Sequence, residues 1–300
     1  MVLSMDQSVL RVSIDVKSND RPFPRFGQPQ RIGEYTVTRD RCVVSGREDA
    51  KYLYEAALAD GGRVRFDLNK GFNTFEEKVL HEADFVCWRG LLTRIAATPF
   101  SPKDSWEFAA ARIGGVIFLC EKETEETRQR KDSMTQRDKM MSYWGFKFEQ
   151  YMTVAEKGGE PNVNGPVTCR EEFAMVVKST LAATVGRPLR LVYSGEVDAI
   201  NKDGEPIELK TQRRALEGTF WKQKSMKWWL QSFLLGIRDI IVGYRDDDGF
   251  VNKLRDLLEE DGEACVVRFE QNRDEITIHS TPLPGIDFFT YAFRVHFNLE

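Results

Sequence analysis

Two short stretches combine ionisable residues with the alternation of a β-strand: GEVDAI at 195–200 and PIELKT at 206–211. Glu196 and Asp198 lie two apart, as do Glu208 and Lys210, so on an extended chain each pair projects from one face. Acids are poor strand formers, and carboxylates that face each other across a ladder repel unless positive charge lies between them. The intervening NKDG sets the register. A two-residue Asp203–Gly204 turn pairs Lys202 with Glu205 and splits the charges over both faces. A three-residue loop with Gly204 in the left-handed region pairs Asn201 with Glu205. Asp198 then faces Glu208, and Glu196 faces Lys210. The second register, or an odd-length loop of the same parity, is the one predicted. An ordinary solvated sheet face would also carry such charges. The repulsion between facing acids argues instead for a divalent cation, and hard oxygen donors suit Mg²⁺ or Mn²⁺.

The rest of the chain must position these groups. Residues 18–33 read as an irregular arm before a strand at EYTVT, 34–38. AKYLYEAAL from Ala50 reads as a short strand or a helical turn, and 66–75 as loop. ADFVCWRGLLTRIAATPF, 83–100, mixes β-branched and aromatic residues and reads as a strand with a polar end. Residues 105–122 follow as a paired strand around Gly114–Gly115. The charged run 121–139 reads as a mobile loop leading into a helix over 134–155. Met141, Trp144, Phe148 and Tyr151 recur there at helical spacing. Residues 158–166 read as loop, and 170–185 as a second amphipathic helix. A third helix spans 215–236. A strand and turn follow over 239–250, a helix over 251–262 and a strand over 264–271. The aromatic tail 288–300 is expected to pack against the body. No linker interrupts the mixture. The expectation is one α/β domain over 1–300, of mixed α+β type, with two mainly antiparallel or mixed sheets flanked by helices and the acids in a cleft between them.

Composition narrows the chemistry. The chain has 300 residues, 41% hydrophobic and 30% charged, with a net charge of −4, so its overall field does not announce a nucleic-acid binder. No apolar run is long enough to span a membrane, and the first residues lack the pattern of a signal peptide. Cys42, Cys87, Cys120, Cys169 and Cys265 are scattered and form no CxxC, which fits free thiols in a reducing compartment. His81, His279 and His296 are scattered too, so neither a zinc site nor a histidine base is indicated.

Glu208-x-Lys210 on a strand, with acids upstream, resembles the arrangement of the PD-(D/E)xK nucleases. Three further pieces extend the match: CWRGLLT with Arg89, YWGFKFE with Gly145 and Glu149, and KWWLQSFLLG with Gln231. In this order and spacing they resemble the decapping exoribonuclease (DXO-like) family, from about Phe26 to the C-terminus. The resemblance implies a metal-dependent hydrolase acting on RNA 5′ ends. Its activities would be decapping of incomplete, unmethylated or NAD caps, release of pyrophosphate from 5′-triphosphate RNA, and 5′–3′ exoribonuclease digestion. It implies that Glu149, Glu196, Asp198 and Glu208, with the backbone carbonyl of Leu209, hold two Mg²⁺ or Mn²⁺ ions. Lys210, Gln231 and Glu149 would be catalytic. Arg89, Lys210 and Gln231 would contact the substrate.

On the residues alone, Glu149 reads as a helix-surface charge, Gln231 as a helix-rim amide, Arg89 as a fork that binds phosphate or pairs with a core carboxylate, and Trp228 and Trp229 as core rather than base-stacking groups. Two other functions stay open. A PD-(D/E)xK DNA nuclease would be told apart by substrates lacking the 2′-OH. A stabilising subunit of a nuclear 5′–3′ exoribonuclease would be told apart by co-purification. The partners implied are RNA 5′ ends, with or without that exonuclease, and no membrane. Residence is expected in the nucleus, with or without a cytoplasmic pool.

Overall fold

The structure is a computed structural model. It describes residues 25–40, 42–47, 50–72, 87–101, 104–113, 116–182, 188–218, 220–221, 224–256, 263–269 and 276–282. The rest of the arm at 18–33, the first part of 83–100, residues 257–262 and the aromatic tail lie outside the described residues.

Two sheets carry the molecule. In the first, β9 (Glu172–Ala182) takes β1 (Arg25–Phe26) and β2 (Gln30–Val37) on one edge and β10 (Leu189–Glu196) on the other, all antiparallel. β3 (Val43–Ser45) extends it from β2. Where a helix is predicted over 170–185, Glu172–Ala182 is therefore a central strand, and 183–185 lie outside the described residues. Val176 and Val177 are β-branched, a type at home in a pleated sheet, and partners distant in sequence occupy both edges. Pairing of that kind overrides a helical spacing of apolar residues.

The second sheet has the order β5 (Arg63–Asp67), β14 (Phe250–Asp256), β13 (Asp239–Arg245), β12 (Pro206–Arg213), β11 (Ala199–Ile200), β4 (Tyr52–Leu53), β8 (Thr153–Val154). β12 and β13 run parallel, whereas β11–β12 and β13–β14 are antiparallel. Tyr52–Leu53 is strand and Glu55–Leu58 a 3₁₀ turn, so AKYLYEAAL contains both of the conformations expected. Phe66 and Asp67 belong to β5 rather than to a loop. Residues 251–256, expected as helix, complete β14 between β13 and β5. β6 (Glu107–Ile113) and β7 (Val116–Lys122) form the expected hairpin, and β15 (Glu263–Phe269) pairs with β16 (Ile276–Pro282).

After the short turn α1 (Ala59–Gly62), the helices are α2 (Arg89–Ala97), α3 (Glu125–Asp132), α4 (Gln136–Met152) and α5 (Ser225–Leu235). α2 replaces the strand expected at 83–100; Leu91, Leu92, Ala96 and Ala97 are good helix formers, and Leu91, Thr93 and Ala97 are buried. The charged run is helical too. Thr124 caps α3 by accepting from the Thr127 N–H, acids fill the first turn, and Arg130 and Lys131 fill the last, an order that complements the helix dipole. α4 lies within the helix expected over 134–155 but ends three residues earlier, where Thr153–Val154 forms β8, and it is opened by a Thr135–Asp138 capping box. Its buried face is Tyr143, Trp144, Lys147, Phe148 and Met152, while Met141 is exposed. α5 is shorter than the helix expected over 215–236 and stops where Gly236 turns left-handed.

α4 lies over the second sheet, where Trp144 and Phe148 join Ile207, Leu209, Ile241 and Val251 in one core. Phe148 sits so close to Gly243 that an added Cβ would stand 2.5 Å from its ring. This contact fixes the helix just ahead of Glu149. Gly243→Ala is expected to cost about 1–3 kcal/mol through overpacking, read as a thermal midpoint lower by roughly 5 °C. An unchanged midpoint would show that α4 is held elsewhere.

Candidate active site

The hairpin forms in the predicted register. Ala199 pairs with Ile207 and Ile200 with Pro206, the Asn201 N–H donates to the Glu205 carbonyl at 2.9 Å, and Gly204 has φ +85°. The ladder ends at Ala199, however. Glu196 closes β10 in the first sheet, opposite Ala174, and the Val197 N–H donates to the Phe173 carbonyl at 2.9 Å. The chain changes sheets between Glu196 and Ala199, so Glu196 does not stand opposite Lys210 as expected.

That crossing places Asp198 at the open edge of β12. Its Oδ2 accepts from the Leu209 N–H at 2.7 Å, in place of a backbone partner. In an extended strand the N–H and C=O of one residue point to the same side, so the Leu209 carbonyl is directed toward Asp198 as well.

Glu208 is the anchor. Its side chain is 1% exposed; Arg89 donates to Oε2 at 3.2 Å and Lys210 Nζ donates to Oε1. Lys210 Nζ also lies 3.9 Å from Asp198 Oδ2. Burial alone would raise the Glu208 carboxyl, but Lys210 and Arg89 outweigh it and hold it below the usual range. Burial alone would lower Lys210, but Glu208 and Asp198 outweigh it and keep it charged. Asp198 is different: burial and the neighbouring Glu208 push it up to about 6, against the pull of Lys210 and the Leu209 N–H. Glu149, from α4, is raised well above the ordinary carboxylate range by burial and by Asp198 and Glu196.

Arg89 enters from the first turn of α2, not from a strand end. Trp88 bridges to Ser194 on β10, and the Ser194 N–H donates to the Cys87 carbonyl at 3.3 Å. Arg89 also donates to the backbone carbonyl of Gln231 at 3.3 Å, which ties α5 to the site. Trp228 is core, as expected, whereas Trp229 is 57% exposed. Gly195 makes the close approach possible: a Cβ there would stand 2.8 Å from the Arg89 Cβ and 3.0 Å from Leu235. Gly195→Ala is expected to displace the guanidinium and lower kcat roughly 10²-fold, the scale of a misplacement of about 1 Å, with the circular dichroism unchanged. Full kcat in a folded variant would show that the position of Arg89 is not critical.

The structure thus brings Arg89, Glu149, Asp198, Glu208, Leu209 and Lys210 together, with Glu196 beside Glu149 and Gln231 reaching the group through its backbone. Two contributors gave no signal in the sequence. Lys51 lowers the Glu149 carboxyl through its charge and is carried in by the parallel β4–β11 bridge, where the Ile200 N–H donates to its carbonyl at 2.9 Å. Gly195 is the other.

The donors suit a hard cation: all are oxygens, and Glu149 and Asp198 are partly buried carboxyls that burial and neighbouring acids push toward the neutral form. Among the described residues no three acids stand close enough to ligate one ion as placed; binding requires side-chain rotation. No helix among them is long and apolar enough to cross a membrane.

A family model described as "RAI1 like PD-(D/E)XK nuclease" matches residues 76–261. The chain belongs to this family. It is 35% identical to "Decapping nuclease dom-3" of Caenorhabditis elegans, over 91% of this chain and 86% of that protein. Its fold is similar to that of S. pombe Rai1 in complex with 3′-FADP, with TM-score 0.61 and 28% identity over 82% of this chain and 78% of that one. It is also similar to Candida albicans Rai1 in complex with pU5-Mn²⁺, with TM-score 0.66 and 20% identity over 79% and 73%. The core is therefore of the PD-(D/E)xK type expected, and Glu208-x-Lys210 stands on a strand of its second sheet.

Proposed function

We propose that this RAI1-like nuclease hydrolyses RNA at its 5′ end with divalent ions. The observation that carries the reading is Lys210 and Arg89 converging on Glu208 beside two partly buried carboxyls, Asp198 and Glu149, that burial and neighbouring acids hold above the ordinary carboxylate range. Two Mg²⁺ or Mn²⁺ ions, held by Glu149, Glu196, Asp198, Glu208 and the Leu209 carbonyl, would lower the pKa of an attacking water and neutralise charge on the leaving oxygen.

The chain's own groups divide the remaining work. Lys210 stays protonated beside two acids, so it acts as a cation and hydrogen-bond donor to a phosphate rather than as a base. The Arg89 guanidinium presents a fork that fits phosphate oxygens, and α2 begins at it with no side-chain cap, adding partial positive charge. The side-chain amide of Gln231, whose own backbone carbonyl accepts from Arg89, orients the phosphate or the water. Glu149 keeps its proton above the usual carboxylate range and gives it up when a cation binds.

The test is an RNA panel bearing 5′-triphosphate, unmethylated-cap, NAD-cap or 5′-monophosphate ends, each with Mg²⁺, Mn²⁺ or EDTA. Metal-dependent release of a 5′ product is expected, and its pattern ranks the substrates. No cleavage of any RNA by folded protein would falsify the reading.

A further inference from the structure

The carboxyl ends of β12 and β13 carry a second charged cluster that the active site does not use. Arg213 and Arg214 both bind the carboxylate of Asp247, and Arg137 donates to the Asp247 carbonyl. Arg137 and Arg245 lie over the Trp144 ring, 4.8 and 4.5 Å from its centroid. The neighbouring Asp246 carboxylate accepts from the backbone N–H groups of Asp248 and Phe250 and acts on Arg245 through its charge. Two carboxylates, Asp246 and Asp247, therefore serve a group of four guanidiniums.

The backbone shows what arranges them. Consecutive residues of a strand point to opposite faces, yet Arg213 and Arg214 reach the same aspartate. Arg214 has φ +60°, the left-handed region, which turns it back toward Arg213; among the described residues it is the one non-glycine with positive φ. That conformation is costly for an arginine. The side chains of Arg213 and Arg214 are 54% and 71% exposed, and exposed ion pairs contribute little to stability. Fold stability therefore does not account for the strain.

We propose that this cluster binds the phosphodiester backbone of single-stranded RNA beyond the nucleotides held at the active site. Arg213 ends β12 three residues past Lys210, about 10 Å at strand spacing, and on the opposite face of the strand, so the track would turn around the carboxyl end of β12; exposed planar forks suit phosphate oxygens. The inference rests on RNA being the substrate.

The test compares wild type with the double variant Arg213→Gln/Arg214→Gly and the single variant Arg214→Gly. Glycine relieves the left-handed backbone, so Arg214→Gly is expected to match or exceed the wild-type melting point, which separates binding from folding. Binding of a 5′-hydroxyl RNA of about 16 nucleotides is followed by fluorescence anisotropy across a salt series, beside turnover of a 5′-triphosphate dinucleotide. The double variant is expected to bind about tenfold more weakly, with a salt slope shallower by about 1.4 for two lost phosphate contacts. Dinucleotide turnover should be unchanged. Equal affinity and slope overturn the proposal, as does loss of dinucleotide turnover, which would place the cluster in the catalytic site, or retention of a poly-glutamate peptide in preference to RNA, which would make it a protein-docking surface. If wild type hydrolyses the dinucleotide but the double variant binds RNA normally, only the track fails. If wild type hydrolyses nothing, the 5′-end reading fails, and the binding arm still reports on the cluster.

Discussion

Asp198→Asn is expected to stop hydrolysis and, without divalent ions, to make the protein more stable at neutral pH. Asparagine keeps an oxygen for the Leu209 N–H but carries no charge, so the local hydrogen bond survives while the best-placed acid for a cation is lost. Loss of catalysis should reach about 10²-fold or more. The stability gain follows from the sign of the shift. The Asp198 carboxyl is pushed from 3.8 up to about 6 by burial and by Glu208. Folding is therefore most favoured below the unfolded value, where the group is neutral in both states. That advantage is lost as pH rises toward about 6 and stays lost above it. The neutral variant avoids this loss, which amounts to about 2–3 kcal/mol at neutral pH and almost nothing near pH 4. Divalent ions should invert the order, since an ion at a hundred times its Kd stabilises the wild type by about 2.7 kcal/mol and the variant has lost the donor. Thermal melts with EDTA and with Mn²⁺, at both pH values, read all four arms. If the variant melts below wild type in EDTA at neutral pH, Asp198 is not a strained charge, and the case for a cation there loses its physical basis.

What could be read in the sequence follows the range of the forces involved. The hairpin register was legible because one loop decides it: Asn201, Gly204 and Glu205 lie within five residues, and the left-handed glycine leaves little choice. The type of Glu208 and Lys210 was legible for the same reason. The placement of Glu196 was not, because the chain leaves the hairpin at Val197 to pair with Phe173, a contact set by the other sheet. Residues 172–182 carry apolar side chains that fit either period, and only partners on both edges make them β9. Arg89 was assigned the right neighbourhood but the wrong element: its helix is recognisable in Leu91–Ala97, yet Trp88 looks like strand because it makes one bridge to Ser194. Lys51 and Arg214 are further cases. One comes in through a parallel bridge and the other through a backbone angle, and residue type encodes neither.

The two glutamate–lysine partners should behave in the opposite sense to Asp198. Glu208→Gln is expected to destabilise the protein by about 2–4 kcal/mol, because it leaves the partly buried Lys210 and Arg89 without their shared counter-charge. Lys210→Met should cost less, since Arg89 remains on Glu208 at 3.2 Å. The double variant should lose less than the sum of the two, with an interaction energy above about 1 kcal/mol in a double-mutant cycle. The pH sign is reversed as well. Lys210 and Arg89 hold the Glu208 carboxyl below the ordinary glutamate value of 4.5. Its contribution is therefore present above the unfolded value and disappears as pH falls through the folded one. On acidification in EDTA the wild type should first gain stability from Asp198, then lose it from Glu208, whereas Glu208→Gln should show the gain without the later loss. Urea melts across this range separate the two carboxylates, which share a motif and differ only in their neighbours: Glu208 has two cations within hydrogen-bond reach, and Asp198 has an amide and a lysine at 3.9 Å. A cation entering the site would act chiefly on the second of these environments. An additive cycle, or parallel pH curves for wild type and Glu208→Gln, would mean that Lys210 is not held by Glu208 and is free to serve as a base.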